Sequence, residues 1–236
     1  MAFNLQTFKT RALTAVVFAV VMLAGLLWNG WSFLVLFMII HFGCWYEYVK
    51  LVKKISPLKF GYYLPLGLIY ITLPVLMMLR LGFISYGTDV VSGSRMSNYW
   101  YIIPCGIIFS IWINDTMAYI VGSFIGKTPF SKISPKKTWE GTTGGAVLCV
   151  VVISWIGYLL QYFTVVDWIF ISSLCAVFGT LGDLLESKLK RMAGVKDSGS
   201  LMPGHGGFLD RFDSFLVATP FVFLYCFLVM GGLTFF

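Results

Sequence analysis

GTTGGAVLCVVVISWIGYLLQY, residues 141–162, contains no charged side chain. About 20 consecutive apolar residues are what a helix needs to cross the hydrocarbon of a bilayer. The stretch is one of a series: apolar spans are predicted at 12–28, 31–49, 62–81, 99–126, 141–162, 166–186 and 214–235. Of the 236 residues, 58% are hydrophobic and 11% charged, and the mean hydropathy is +0.86. Those values lie outside the range of a soluble domain. The expected fold class is therefore all-α: a polytopic integral membrane protein of about seven transmembrane helices, within a range of about seven to nine. No Pro/Ser-rich linker, low-complexity tract or fixed-period repeat divides the chain. It reads as one membrane unit, with motif-free helices over 1–98 and a region over 99–236 that carries the polar motifs.

Span 99–126 is longer than one crossing, carries Pro104 near its start and is interrupted by Asn114-Asp115. A tilted helix, a broken one, and a crossing followed by a re-entrant piece all fit. Trp28-Asn29-Gly30-Trp31 is expected to form a tight turn with its indoles at the membrane–water interface. Lys9 and Arg11 before an apolar run resemble a signal peptide, but the run is long for one and lacks an A-x-A site. A retained first helix is expected. Cys44, Cys105, Cys149, Cys175 and Cys226 fall in five different apolar segments with no CxxC pair, so they are read as small packing residues rather than disulfides or zinc ligands.

Basic residues set the expected orientation. Lys9 and Arg11 precede the first span. Lys50, Lys53, Lys54 and Lys59 follow the second, Lys127, Lys132, Lys136 and Lys137 the fourth, and Lys188, Lys190, Arg191, Lys196 and Arg211 the sixth. Seven spans with the N-terminus in the cytoplasm put nearly all of them on that side. The net charge of +7 is mostly this topology signal, with some attraction to anionic lipid, and does not point to nucleic acid.

Against this background KLKRMAGVKDSGSLMPGHGGFLDRFDSF, residues 188–215, stands out. Five of the ten carboxylates lie at Asp183, Glu186, Asp197, Asp210 and Asp213. Asp183, Glu186, Ser187 and Lys190 share one face if the sixth span continues as a helix. Asp210 and Asp213, three apart, can also face one point. Between them Gly199, Pro203, Gly204, Gly206 and Gly207 preclude a regular helix. Carboxylates gathered at membrane depth are costly unless paired or metal-bound. Oxygen donors without thiolates suit Mg²⁺, which takes one or two carboxylates plus substrate phosphates. The interleaved basic residues suit anionic oxygens, and the amides of Gly204 to Gly207 could approach a phosphate. The plain alternative is a charged loop at a membrane edge. That alternative accounts for Lys188, Lys190 and Arg191 as orientation signals, but not for Asp183, Asp210 and Asp213.

A second polar island, SPKKTWEGTTGG, runs from Ser134 to Gly145. Lys136 and Lys137 could meet a polyphosphate with Glu140 orienting one of them, and Thr138 fits as the N-cap of the next helix. Asp115 is an intramembrane acid and so a candidate for function. His41 has no polar companion at helical spacing and reads as a packing or interfacial residue.

Residues Ser187–Ser214, SKLKRMAGVKDSGSLMPGHGGFLDRFDS, resemble the signature of the phosphatidate cytidylyltransferase (CDP-diacylglycerol synthase) family. SPKKTWEG, preceded by NDTMAYIVGSFIGK, resembles the family's other shared segment, with Met117 where a smaller residue is expected. The first hundred residues carry no matching motif. The resemblance implies transfer of CMP from CTP to phosphatidate, giving CDP-diacylglycerol and pyrophosphate for phospholipid biosynthesis in the cell inner membrane or its equivalent. It implies Mg²⁺ held by Asp183, Asp210 and Asp213, a monovalent cation such as K⁺ beside it, and a homodimer. Lys196, Arg211, Lys136 and Lys137 are assigned to phosphates, with Ser134, Glu140 and Asp115 among the substrate-binding residues. Ser187 and Asp197 are placed next to the metal. Gly204, Gly206 and Gly207 are assigned to the phosphate loop, and His205 to hydrogen-bonding a phosphate or holding that loop. A CDP-archaeol synthase or a CTP-dependent polyprenol kinase would share much of this chemistry. A secondary transporter is the reading from another class; acids at span ends rather than at the midplane, and the lack of an inverted repeat, argue against it.

Overall fold

The computed structural model describes residues 5–83, 100–131, 133–199 and 206–230, with side chains from residue 12 onward. Among these residues the regular structure is helical: α1 (Leu5–Leu27), α2 (Gly30–Ile55), α3 (Phe60–Gly67), a π-helical turn (Leu68–Thr72), α4 (Leu73–Gly82), α5 (Ile102–Ile125), α6 (Trp139–Leu160), α7 (Val165–Met192) and α8 (Leu209–Leu228). The α3–π–α4 segment is one continuous span, Phe60–Gly82. With α2, α5, α6, α7 and α8 it makes 6 helices long and apolar enough to cross a membrane, and Ala12–Leu27 adds a shorter apolar one. The chain is an all-α polytopic integral membrane protein, as its hydropathy predicts.

Helix boundaries are where structure and sequence differ. Within the predicted span 99–126 the helix is unbroken from Ile102 to Ile125, because Pro104 falls in its first turn, where a missing N–H costs no helical hydrogen bond. The last span begins at Leu209 rather than 214, so Asp210 and Asp213 lie within α8. Helix α7 runs on to Met192 and carries Glu186 and Lys190 as a true helical stripe. Residue 99 and residues 231–235 of the predicted spans lie outside the described residues. The turn after Trp28 is a helix start. Asn29 Oδ1 accepts from the Ser32 N–H (2.8 Å), and Ser32 Oγ accepts from the Asn29 N–H (3.1 Å), a reciprocal cap that satisfies two donors.

Pro65 lies inside α3 and Pro74 in the first turn of α4, and the π turn sits between them. Thr72, at its end, accepts from Trp45 Nε1 (2.9 Å) and lies 3.0 Å from His41 Nε2. His41 therefore has a polar companion on a neighbouring helix, which spacing along α2 could not reveal.

Close helix crossings come from small residues, as in membrane bundles generally. Gly141 and Gly145 of α6 face Ala118 and Gly122 of α5; a Cβ on Gly145 would lie 2.7 Å from the Ala118 backbone nitrogen. Gly182 of α7 sits against the Asp213 carbonyl of α8. The five cysteines are buried and unpaired. Val147, Val151, Trp155, Tyr158 and Leu159 of α6 are more than half exposed, an apolar face suited to lipid.

Gly145→Val is expected to push α5 and α6 apart and destabilise the bundle by about 1–3 kcal/mol, the usual cost of overpacking. Thermal unfolding in detergent would show this as a lowered midpoint.

Candidate active site

Between α5 and α6, residues 126–131 and 133–138 form a short pinned loop. Pro129 and Thr138 form an antiparallel bridge. The Phe130 N–H donates to the Lys137 carbonyl (2.8 Å) and the Trp139 N–H to the Thr128 carbonyl (2.9 Å). Phe130 and Trp139 meet edge to face at 4.5 Å. Glu140 accepts from the Thr128 hydroxyl (2.7 Å) and from the backbone N–H groups of Lys127 and Thr128. Thr138 caps α6 by accepting from the Gly141 N–H (3.2 Å), as its position in the sequence predicts. These ties fix Lys136 and Lys137 at the mouth of a cavity.

That cavity, about 640 Å³, lies between α5, α7, α8 and this loop, with Phe18 of α1 on one side. Asp115, Asp183, Asp210 and Asp213 line it together with Lys136, Lys137 and Arg211; Ser134, Thr142 and Thr180 add hydroxyls and Asn114 an amide. Lys137 Nζ pairs with Asp183 Oδ2 at 2.5 Å. Asp213 is buried, and its Oδ1 accepts from the Ser214 N–H (2.6 Å). Asn114 donates to Asp115 (3.3 Å), while its own buried carbonyl oxygen has no partner.

Behind the cavity runs a second set of charges. Lys190 Nζ lies 2.5 Å from Glu186 Oε2 and 2.6 Å from Asp210 Oδ1. Asp210 Oδ2 accepts from the N–H groups of Ser198 (2.9 Å) and Gly207 (2.8 Å). The Ser198 hydroxyl is 2.9 Å from this oxygen and 2.7 Å from Glu47 Oε2, so its one proton serves two carboxylates. Glu47, on α2 and only 2% exposed, also accepts from the N–H groups of Phe208 (3.0 Å) and Leu209 (2.9 Å). The glycines follow from this crowding. A Cβ on Gly199 or Gly207 would strike the Glu47 carboxylate, and one on Gly206 the carboxylate of Asp210. Gly206 also has φ +82°, a conformation that favours glycine.

The model of the cytidylyltransferase family matches residues 71–229, α4 to α8 and nearly every wall of the cavity. The chain belongs to that family. Curated relatives named phosphatidate cytidylyltransferase include one from Staphylococcus saprophyticus, 38% identical over 146 residues, which are 61% of this chain and 55% of the relative. Another from Synechocystis is 45% identical over 136 residues (54% and 46%), and one from Bacillus subtilis is 47% identical over 115 residues (48% and 43%). The chain thus aligns with about half the length of these relatives.

Of the residues singled out in the sequence, the structure brings Asp115, Ser134, Lys136, Lys137, Asp183, Asp210, Arg211 and Asp213 to one cavity. It separates others. Lys196 is exposed and outside the lining. Asp197 lines a smaller cavity with Lys50 and Lys54. Ser187 is half-buried on α7, outside the lining. Glu140 holds the backbone of Lys127 and Thr128 rather than orienting a lysine side chain. Gly206 and Gly207 pack against carboxylates of the protein. Gly204 and His205 lie outside the described residues. Lys190, explained from the sequence as an orientation signal, is instead the cation of a buried triad. Glu47 was missed, because an acid near the end of the second span looks like any interfacial charge.

No group of three Asp, Glu, His or Cys side chains closes to metal-binding distance among the described residues. The hard-oxygen donors lining the cavity fit magnesium in its usual mode, one or two carboxylates completed by substrate phosphates. Asp210 has both oxygens engaged already, which leaves Asp183 and Asp213, on helices that touch at Gly182, as the better-placed pair.

Lys190→Met removes the cation from Glu186 and Asp210. It is expected to destabilise the fold by about 3–5 kcal/mol, the scale of breaking a buried ion pair from one side. Adding Glu186→Gln should recover part of the loss, read as the unfolding midpoint of the single and double variants.

Proposed function

We propose that this chain transfers CMP from CTP to phosphatidate, releasing pyrophosphate and CDP-diacylglycerol, at the cytoplasmic edge of the membrane. The observation that carries the proposal is the cavity, where four carboxylates, Lys136, Lys137 and Arg211 meet at one end of the helix bundle. That end is also where Lys50, Lys53, Lys54, Lys127, Lys188 and Arg191 gather, the side that positive residues mark as cytoplasmic. A soluble triphosphate and a lipid phosphate can both reach such a place. The names of the curated relatives support the same substrates.

The chemistry follows from charge. With Asp210 paired to Lys190, Asp115, Asp183 and Asp213 balance Lys136, Lys137 and Arg211, which leaves no excess positive charge for a triphosphate; a divalent cation accompanying the nucleotide would supply it. Asp183 and Asp213 would hold magnesium, which when bound would offset the negative charge on the phosphates. Lys137, paired with Asp183 in this structure, would exchange that carboxylate for a phosphate oxygen. Lys136, on the same pinned loop, and Arg211, in the first turn of α8, would take the remaining phosphate charge. A phosphatidate oxygen attacks the α-phosphorus of CTP in line; the new P–O bond forms as the bond to pyrophosphate breaks. No covalent nucleophile of the protein is required, so positioning and charge stabilisation carry the rate.

Purified protein in detergent should release pyrophosphate only when phosphatidate, CTP and Mg²⁺ are all present. Asp183→Asn and Asp213→Asn should each lower kcat about 10²–10³-fold, the scale of losing one preorganised electrostatic contact. Release of CDP without pyrophosphate would assign a kinase instead, and absence of any nucleotide turnover with phosphatidate would overturn the substrate assignment.

A further inference from the structure

We propose that Glu47 of α2 is a positioning residue for the transfer reaction, holding the first turn of α8 so that Asp210, Arg211 and Asp213 face the cavity. The inference rests on the functional reading above. Glu47 does not line the cavity, and it precedes residue 71, where the family match begins. Its action is through other residues.

Helix α8 starts without a side-chain cap of its own: its N-cap position is Phe208, which makes no capping hydrogen bond through its side chain. The first N–H groups of a helix need acceptors. Glu47 supplies one oxygen to the Phe208 N–H and the other to the Leu209 N–H, and its negative charge also complements the positive end of the helix. The next residue but one is Arg211, and Asp210 and Asp213 lie in the same turn and a half. A neutral cap could satisfy two amides. A full carboxylate buried at this depth is costly, and here it gathers a third donor, the Ser198 hydroxyl, which also touches Asp210. Glu47 therefore ties Ser198, the start of α8 and the Lys190–Asp210 pair into one unit. Gly199 and Gly207 lie against its carboxylate with no room for a Cβ. The helix that carries Glu47 is itself locked to α8 by Phe37 against Phe215, ring centroids 5.4 Å apart.

The test compares Glu47→Gln, which keeps shape but loses charge, and Glu47→Asp, which keeps charge but shortens reach, with wild type in detergent. Two readouts are needed: steady-state pyrophosphate release, and amide hydrogen exchange of the segment containing Phe208 and Leu209. In Glu47→Gln these amides should exchange about tenfold faster while the middle of α8 stays protected. Its kcat should fall about 10- to 100-fold, as when a residue supporting a first-contact group is lost, with KM for CTP changing less than kcat. Glu47→Asp should recover part of kcat. Faster exchange with kcat unchanged would overturn the positioning role and leave a cap for stability only; unchanged exchange would overturn the hold on α8. If wild type itself releases no pyrophosphate, the transferase reading falls separately, and the exchange of the two amides still decides whether Glu47 holds α8.

Discussion

A carboxylate inside a membrane helix bundle must find a counter-charge or hydrogen-bond donors, and this need governs the polar site of this chain. Glu47, Glu186 and Asp210 are all buried or nearly so, with Lys190 the cation among them. Glu47 and Asp210 are met further by the Ser198 hydroxyl and by the backbone N–H groups of Ser198, Gly207, Phe208 and Leu209. Ser198 on one side and Gly207, Phe208 and Leu209 on the other supply donors to acids on α2 and α8. Glycine at 199, 206 and 207 follows from how closely those oxygens approach the backbone.

The same network divides labour among the acids. Asp210 is spent on Lys190 and the loop, while Asp183 and Asp213 face the cavity with fewer internal ties. Their neighbourhood depends on Gly182, which lets α7 and α8 cross closely enough for residues on the two helices to meet over one space. On the opposite wall, the Gly141/Gly145 ridge of α6 against Ala118/Gly122 of α5 brings Asp115 and the Lys136–Lys137 loop to that space. Small residues thus set the helix spacing, and the spacing sets which charges share the cavity.

Membrane class and span number were legible in the sequence because both depend on the length and polarity of continuous segments. The polar cluster was legible because acids are rare in such a chain, and the Asp210–Asp213 spacing told correctly that both would share a side of one helix. Helix ends were read less well. The predicted start of the last span followed hydropathy, which penalises the charged turn at 209–213, whereas the helix begins there because Glu47 accepts its first N–H groups. Lys190 and Glu47 illustrate the same limit. Lys190 reaches Asp210 across 20 residues and Glu47 reaches Leu209 across more than 150, separations that local pattern does not register.

What the sequence by itself determined is therefore the solvent of each segment: which stretches belong in lipid, where charge collects, and which residue types could handle phosphate. Those are properties of local composition and period. Only the tertiary structure decided which acids are committed to holding the fold and which are left to face the cavity, why Lys196 and Asp197 stand apart from it, and how α2 comes to hold the start of α8. Those outcomes depend on distances between atoms far apart in the chain, fixed by helix crossings whose closeness is set where two small residues meet.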